Sequence, residues 1–431
     1  MPDQASPGTT WDTIDRYMIL SSDTHAGAEM HEYRRYLPAR WHDEFDAWVA
    51  AVTNPFVDLR DPERAKLNWD SDARLAASDA EGITGEVIFP NTLPPFFDIL
   101  AHLSGVPWDR ATYERKWAGL QAHNRWLVDF CSEAPLRRRG LLQILPNDLD
   151  DAIAEIRWAK ETGVVGGVMI PAIPPNHPVG PFFDPRYDPL WATCAELDVP
   201  VHQHQGTGSP EVGRDLPAGQ AVFFAELDLW TKRTLLHLVM GGVFERHPHL
   251  KVVWTEMWGI RWALEELDQI EKRLVNVQSR YAGDARVLNY SSTFGSDVVD
   301  GLSLKPREYF ARNCYLGASM LPRRDVRYRH ALGVDRIMWG DDFPHDEGTT
   351  GHTPEGLRAT LFDVPVEECR QMLAGVAAGV YHFDLPALTP IAARVGPAVS
   401  EVHTPLDELP VARGMAFSTD RPLEELVAGV L

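Results

Sequence analysis

Short apolar runs alternate along the chain with segments whose apolar residues recur at helical spacing. Eight apolar runs of strand length occur, at residues 17–22, 86–90, 139–145, 164–171, 199–204, 251–256, 314–318 and 336–340. Uninterrupted apolar runs are typical of strands buried on both faces, as in a parallel sheet that helices cover. The pattern therefore predicts an α/β fold, and eight strand–helix units in succession predict a (β/α)8 TIM barrel.

The segments between the predicted strands carry helix signals at their ends. Asp148 stands where an N-cap residue is expected, and Gly163 stands where the helix should stop. Between them, Leu149, Ile153 and Ile156 fall on one helical face. This spacing predicts a helix that packs its apolar face against the sheet.

The chain ends differ from this regular pattern. We assign residues 17–385 to the barrel and residues 1–16 to a disordered N-terminal tail. Residues 386–431 are rich in proline and short of periodicity, so we assign them to a C-terminal arm that covers a neighbouring subunit. On this hypothesis the protein is a homo-oligomer, with a dimer as the simplest form.

Four of the predicted strands end in residue types that bind metals. These residues are Asp23 and His25 after the first, His202 and His204 in the fifth, Glu256 in the sixth, and Asp341, Asp342 and His345 after the eighth. Residues two apart on an extended chain point to the same side, so each closely spaced pair can face one ion. Taken singly, each of these histidines or acids is explained by hydrogen bonding, and the last group by a solvated turn. Together they predict a metal site at the carboxyl end of the barrel.

Composition narrows the possible partners. The 431 residues, of which 44% are hydrophobic, are enough to form one large core. A net charge of -21 argues against binding to nucleic acid or to an anionic membrane surface. The four cysteines show no CxxC spacing, and neither a signal peptide nor an apolar run of membrane length is present. We therefore expect a cytoplasmic protein with free thiols.

The strand-end motifs resemble a known family. Asp23-x-His25, His204, GDDFPH after the eighth strand and GGVFERHPHLKVV before the sixth are similar to the second amidohydrolase family, also called amidohydrolase-related TIM barrels. The resemblance covers roughly residues 17–385. It implies a metal-dependent hydrolase or non-oxidative decarboxylase, commonly with zinc or manganese. It also implies that Asp23, His25, His204 and Asp342 hold the metal, with Asp342 as a proton acceptor.

The chain departs from that pattern at Glu256, where many members have a histidine, and in the additional histidines His202 and His345. Seven potential ligands exceed the four of a tetrahedral ion and suit two six-coordinate iron ions. This set, with SSDTHAGA, FPNTLPPFF, HQHQGTGSP, VVWTEMWG and WGDDFPHDEGT, resembles the TIM-barrel non-heme diiron monooxygenases, a branch that includes the diterpenoid hydroxylase of platensimycin and platencin biosynthesis.

The resemblance to this branch implies a monooxygenase of antibiotic biosynthesis that hydroxylates an apolar, diterpenoid acyl-coenzyme A with dioxygen and an unidentified electron donor. Two iron ions would be bound by Asp23, His25, His202, His204, Glu256, Asp342 and His345, with Glu256 and Asp342 as the catalytic residues. The alternative is a zinc or manganese hydrolase or non-oxidative decarboxylase in which Asp342 moves the proton. A catalytically inactive binding barrel is disfavoured, because buried carboxylates and histidines without a function destabilise the fold.

Other residues leave alternatives open. Phe96 and Phe97 form either a wall for a hydrophobic ligand or part of the core. Arg323, Arg324 and Arg327 follow the seventh strand and lie on the correct side for a carrier phosphate, although a solvated face is the favoured explanation of such a cluster. Arg261 is a possible ion-pair partner for Glu256 in place of a metal.

Overall fold

The computed structural model describes residues 10–53, 58–208, 213, 215–281, 296–319, 321–410 and 415–417. Within these ranges eight parallel strands form one sheet in chain order, each hydrogen-bonded to the next. The strands are β1 Leu20–Ala26, β2 Gly85–Pro90, β3 Arg138–Gln143, β4 Val165–Met169, β5 Val201–His204, β6 Val252–Thr255, β7 Cys314–Ser319 and β8 Ile337–Gly340. The predicted TIM barrel is confirmed.

Helices follow the strands around the outside. They are α1 His42–Ala51, α2 Pro62–Ala65, α3 Ser71–Ala80, α4 Arg110–Ser132, α5 Leu149–Glu161, α6 Asp188–Glu196, α7 Gly219–Met240, α8 Val243–Arg246, α9 Arg261–Tyr281, α10 Ser296–Asp300, α11 Pro306–Asn313, α12 Arg323–Val326, α13 Arg329–Leu332, α14 Thr353–Leu361, α15 Val366–Arg370, α16 Val376–Tyr381, α17 Leu385–Val395 and α18 Val399–Val402. The predicted cap of α5 is confirmed, because the Asp148 side chain accepts a hydrogen bond from the backbone N–H of Asp151.

Most strand boundaries differ from the predicted ones by one to three residues, and the largest difference is in β1. This strand was predicted to end at residue 22, but it pairs with β2 through His25 and Ala26. A register shift between Ser21 and Thr24 interrupts the pairing, which then resumes. Asp23 and His25 therefore lie within the strand, and its backbone holds them more rigidly than a loop would.

The barrel closes where β1 meets the segment after β8. The backbone N–H of Asp342 donates to the carbonyl oxygen of Asp23 at 2.9 Å, and that of His25 donates to the carbonyl oxygen of Phe343 at 2.6 Å. Backbone hydrogen bonds thus fix Asp342 directly beside Asp23 and His25, which are more than 300 positions away in the sequence.

The described part of the C-terminal segment packs against its own barrel. Leu388 and Ala392 of α17 are fully buried in the same apolar cluster as Leu20 of β1 and Met338 of β8. Near the other terminus, Ile14 is buried in this cluster, while residues 1–9, 411–414 and 418–431 lie outside the described residues. The domain limits and the arm that would cover a neighbouring subunit stay predictions.

Two expectations from composition concern the whole fold. All four cysteines are buried and free of disulfides. Among the helices of the described ranges, none combines the length and the apolar character that a membrane span requires.

Candidate active site

Side chains from four strands converge at the carboxyl end of the barrel. Asp23 and His25 lie in β1, His204 ends β5, Glu256 follows β6, and Asp342 lies two residues after β8. Asp23, His25, His204 and Glu256 are buried, and each places one ligand atom within 4.8 Å of the other three. These four residues are called the mouth cluster below. They are close enough together to share one metal ion.

The histidines of the mouth cluster lie between its carboxylates. Nε2 of His204 is 2.9 Å from Oε2 of Glu256 and 3.7 Å from Oδ1 of Asp23. Nε2 of His25 is 3.4 Å from the same Asp23 oxygen and 3.9 Å from the same Glu256 oxygen. Both Nε2 atoms therefore face the same two oxygens.

Hydrogen bonds fix the tautomers of these histidines. Nδ1 of His25 lies 3.2 Å from the carbonyl oxygen of Pro90, and Nδ1 of His204 lies 3.2 Å from that of Gln205. A carbonyl oxygen only accepts, so each Nδ1 carries a proton and a neutral ring keeps its lone pair on Nε2. Both lone pairs then point toward carboxylate oxygens, which is repulsive unless a proton or a metal cation lies between them.

The residues fit a divalent metal ion. Within the described ranges, Asp23 Oδ1, His25 Nε2 and His204 Nε2 are buried and form no hydrogen bond. Buried polar atoms are normally satisfied, so three such atoms at one point indicate a missing partner. Ser319 donates to Oδ2 of Asp23 and leaves Oδ1 turned toward the cluster. Imidazole and carboxylate donors suit zinc, manganese or iron.

Asp342 lies beside the mouth cluster and is paired with His345. Its Oδ1 is 3.1 Å from Nε2 of His25 and 2.9 Å from Nδ1 of His345. Nε2 of His345 lies 3.1 Å from the side-chain oxygen of Asn91. His345 thus has an acceptor at each ring nitrogen, which suits a protonated imidazolium that donates to both.

The pKa values follow from burial and from these neighbours. Burial would lower the pKa of His25 and of His345, but neighbouring carboxylates raise both above the ordinary value. For His204 the same competition, with Glu256 as the main opposing charge, raises the pKa to about 10. Burial and the charge of Asp342 raise the pKa of Glu256 to about 7. The cluster therefore holds protons where a metal would otherwise supply the positive charge.

His202 is separated from the other predicted ligands. Its ring stacks on Tyr381 with centroids 5.6 Å apart and meets Phe89 edge-on at 5.7 Å. It belongs to none of the potential ligand groups found among the described residues. Burial lowers the pKa of His202 to about 3, so its ring is neutral. That His202 binds metal stays a prediction that this arrangement does not support.

The backbone is strained at two of the acidic residues. Glu256 has φ of 59° and Asp342 has φ of 57°, both in the left-handed region that favours glycine. A non-glycine residue in this conformation costs about 1 kcal/mol or more and is found preferentially at functional sites. The turns after β6 and β8 thus hold both carboxylates toward the centre of the mouth.

Arg261 pairs with Glu265 at 2.8 Å, so it is not the partner of Glu256. Phe96 and Phe97 are both buried in apolar clusters, which favours the core interpretation for this loop.

Two of the three arginines after β7 lie beside carboxylates. Arg323 forms an ion pair with Asp363 at 2.7 Å, and Arg324 approaches Asp325 at 4.0 Å.

Three further polar residues lie near the site. His102 lies in the loop after β2, and its ring meets that of His204 at 5.2 Å. Gln143 ends β3 and is buried. Asp341 accepts a hydrogen bond from Ser21 at 2.5 Å, and burial raises its pKa to about 7. The sequence predicts Asp341 as part of the acidic group after the eighth strand, whereas neither His102 nor Gln143 follows a strand in a ligand-like spacing.

Comparison with known proteins identifies the family. The amidohydrolase family model matches residues 91–383, which is more than half of the chain. The chain belongs to this amidohydrolase family. The barrel and its strand-end carboxylates and histidines agree with that assignment.

The similar proteins include decarboxylases. Gamma-resorcylate decarboxylase of Polaromonas sp. is 25% identical over 232 residues, which are 52% of this chain and 65% of that protein. The match thus spans less than two thirds of that relative's length. The solved structure of an amidohydrolase from Mycobacterium avium subsp. paratuberculosis superimposes with a TM-score of 0.63 at 19% identity, over 85% of this chain and 99% of that one.

A second solved structure contains a metal. It is 5-carboxyvanillate decarboxylase of Novosphingobium aromaticivorans with manganese and 4-hydroxy-3-methoxy-5-nitrobenzoic acid. It superimposes with a TM-score of 0.61 at 17% identity, over 85% of this chain and 97% of that one. At such identities the structural likeness establishes the fold alone. The named relatives favour the decarboxylase alternative over the expected monooxygenase.

Proposed function

We propose that this chain is a metal-dependent, non-oxidative decarboxylase of a hydroxylated aromatic carboxylate. The observation that carries the proposal is the mouth cluster, in which two histidine lone pairs and two carboxylates converge on one point. The relatives named as decarboxylases support the reaction class. A manganese or zinc ion held by Asp23, His25, His204 and Glu256 would supply positive charge to bind and orient the substrate carboxylate.

In this proposal the protein residues move one proton. Asp342 takes a proton from His345 and gives it to the ring carbon that carries the carboxylate. The C–C bond then breaks, its electron pair returns to the ring, and carbon dioxide leaves. The reaction consumes one proton per turnover and needs no oxidant.

The short hydrogen-bond chain supports this role for Asp342. Its Oδ1 contacts His345 at 2.9 Å, and His345 continues to Asn91, near the loop that borders the mouth. The Asn91 amide oxygen orients the ring of His345 but carries no proton, so the proton that His345 gives up is replaced from water. Asp342→Asn keeps the shape of the side chain but removes its capacity to carry the proton.

The test is carbon dioxide release from hydroxybenzoates by manganese-loaded or zinc-loaded protein under argon. We expect turnover without oxygen and a loss of at least about a hundredfold in kcat for Asp342→Asn, with unchanged metal content. Turnover only in the presence of dioxygen would reject the decarboxylase. Metal-loaded protein that is inactive on every hydroxybenzoate would reject it as well.

The second candidate is the diiron monooxygenase that the sequence predicted, acting on an apolar acyl-coenzyme A. One observation favours it: His25, Asp342 and His345 also bring one ligand atom each within 4.8 Å, a second group that shares His25 with the first. Against it, both nitrogens of His345 already face acceptors, and His202 lies outside both groups. Iron and the coenzyme A carrier stay predictions.

Glu256→Gln distinguishes the candidates by metal stoichiometry. If two ions bind, with Glu256 on the second, the variant should fall from two ions per chain to one. In a single-ion site we expect wild-type protein with one ion and a variant that binds it more weakly. Elemental analysis of protein purified without chelators gives the count, and two irons in the wild type would favour the monooxygenase.

A further inference from the structure

We infer that His102 and Gln143 form a specificity subsite that holds the ring hydroxyl of the aromatic substrate. This inference rests on the proposed function, because that function supplies the substrate class. The two residues come from the loop after β2 and the end of β3.

The arrangement of the mouth cluster leaves one part of the barrel mouth for the substrate. Its ligands and Asp342 come from β1, β5, β6 and the segment after β8. The strands β2, β3 and β4 lie between β1 and β5 in the sheet order and contribute none of these side chains. We therefore expect the substrate on this side, where no proposed ligand or proton-transfer residue lies.

The inner face of that sector is apolar and aromatic. Phe89 of β2 packs its ring against His204 at 4.8 Å and against His25 at 5.8 Å. Met169 of β4 is buried in the same apolar cluster as Phe89. These side chains provide a surface for a flat apolar ring next to the mouth cluster.

Gln143 is the polar residue of β3 that faces this surface. Leu141 belongs to the interior apolar cluster, so Gln143, two positions later, points to the same side of the strand. Its backbone N–H and carbonyl both bond to the side chain of Asn124, which fixes the strand end. Its side chain is 2% exposed, yet neither amide atom has a hydrogen-bond partner among the described residues.

His102 lies in the loop after β2 and contacts the mouth cluster through His204. Its carbonyl oxygen accepts from the backbone N–H of Gly208 at 2.7 Å, so its backbone alone ties together the loops after β2 and β5. The ring meets His204 edge-on and is 4% exposed. Nδ1 of this ring forms no hydrogen bond within the described part of the chain. The ring is therefore not needed for the loop contact.

Three buried polar atoms without partners beside an apolar surface fit a ligand that carries a hydrogen-bonding substituent. An unsatisfied buried group destabilises the fold, and a bound hydroxyl would satisfy it. An amide and an imidazole together offer both donors and acceptors, which match a hydroxyl better than a charged group. Such a site discriminates strongly against an analogue that lacks the hydroxyl.

The test measures binding without turnover. Dissociation constants of benzoate and of the 2-, 3- and 4-hydroxybenzoates are determined calorimetrically on protein loaded with zinc, at a pH and temperature where no carbon dioxide is released. We expect at least one hydroxybenzoate to bind about tenfold to a hundredfold more tightly than benzoate. If no hydroxybenzoate exceeds benzoate by tenfold in the wild type, the inference is wrong.

Variants then locate the selectivity. Gln143→Met and His102→Leu should each reduce the preference for the hydroxybenzoate to within about threefold of benzoate. His102→Asn keeps a polar atom near the position of Nδ1 and should retain most of the preference. Metal content should be unchanged in all three. Retained selectivity in both Gln143→Met and His102→Leu would contradict the subsite.

The matched control is His123→Asn. His123 is buried in α4 and also has one ring nitrogen without a partner among the described residues, but its other nitrogen bonds to Tyr33. It lies among the residues that pack outside the barrel, so the variant should keep the wild-type selectivity. Selective binding without carbon dioxide release under any condition would reject the proposed decarboxylase and leave the subsite standing. Carbon dioxide release together with unchanged selectivity in the variants would reject the subsite and leave the proposed decarboxylase standing.

Discussion

Two groups of buried carboxylates in this barrel are stabilised in different ways. Near the amino end of β2, Glu86 lies 2.8 Å from Nη2 of Arg74 and 3.1 Å from Nε of Arg138. Both arginines are fully buried, and Arg74 also donates to the carbonyl oxygens of His25 and Leu67. The protein's own cations therefore neutralise this carboxylate and complete its hydrogen bonds.

Among the residues that the structure describes, the mouth of the barrel has no equivalent cation. In the described part of the chain, the ion-pair partners of Asp23, Glu256 and Asp342 are histidines. Two of these, His25 and His204, already donate Nδ1 to carbonyl oxygens. Buried charges without a counter-charge are strongly unfavourable, so these carboxylates require a cation that the described side chains do not supply.

The largest effect is expected from removing a ligand at the mouth. His204→Ala should lower metal affinity by at least about a hundredfold and carbon dioxide release by at least about a thousandfold, because the metal loses one of four protein ligands. Elemental analysis and activity assays measure both. His237→Ala is the control, since His237 packs against Phe183 away from the cluster and should leave both values unchanged. Full metal occupancy in His204→Ala would remove this residue from the site.

A smaller effect is expected at Glu86, where a substitution removes an internal counter-charge and lowers stability. Glu86→Gln leaves two buried arginines without their counter-charge and should lower the free energy of unfolding by about 3 to 5 kcal/mol. Urea unfolding of metal-free protein measures the change. Glu44→Gln breaks an exposed ion pair with Arg115 and should cost less than about 1 kcal/mol. A loss below about 1 kcal/mol in Glu86→Gln would show that the buried ion pairs do not stabilise the fold.

The smallest effect is expected on the pH dependence of stability when Glu256 loses its charge. Between pH 4.5 and 8, metal-free Glu256→Gln should lose less of its free energy of unfolding than metal-free wild type, by roughly 1 to 3 kcal/mol. Burial and Asp342 raise the pKa of Glu256 from 4.5 to about 7. A raised carboxyl pKa favours folding below pH 4.5, and this contribution is lost as the pH rises through about 7. Urea unfolding at several pH values from 4.5 to 8 measures this loss, which the variant should lack. An equal loss in the variant and in wild type would contradict the prediction.

Sequence patterns predicted the fold well because both faces of each strand are covered. Uninterrupted apolar runs and capped helices such as α5 carry that information locally. The limits of β1 could not be predicted, because the polar residues Asp23 and His25 are kept in the strand by pairing with β2. Tertiary hydrogen bonds decided that boundary rather than local propensity.

The sequence predicted which strand ends contribute to the candidate site, but not how far along each strand a side chain lies. The two-residue period correctly places His202 and His204 on one side of β5. The period does not give their positions along the barrel axis. His202 lies about 6.6 Å from His204 toward the amino end of β5, beside Phe89 and Tyr381. The sequence did not predict His102, because the loop after β2 contacts His204 only in the folded barrel and the two residues are about 100 positions apart.

The most direct test of the metal centre is a crystal structure of manganese-loaded protein with anomalous diffraction data. We predict one anomalous peak bound by Oδ1 of Asp23, Nε2 of His25, Nε2 of His204 and a carboxylate oxygen of Glu256, at about 2.0 to 2.3 Å from each. We predict no peak beside Glu86, where Arg74 and Arg138 already supply the positive charge. A manganese ion bound elsewhere, or a mouth without any peak at full loading, would contradict the account.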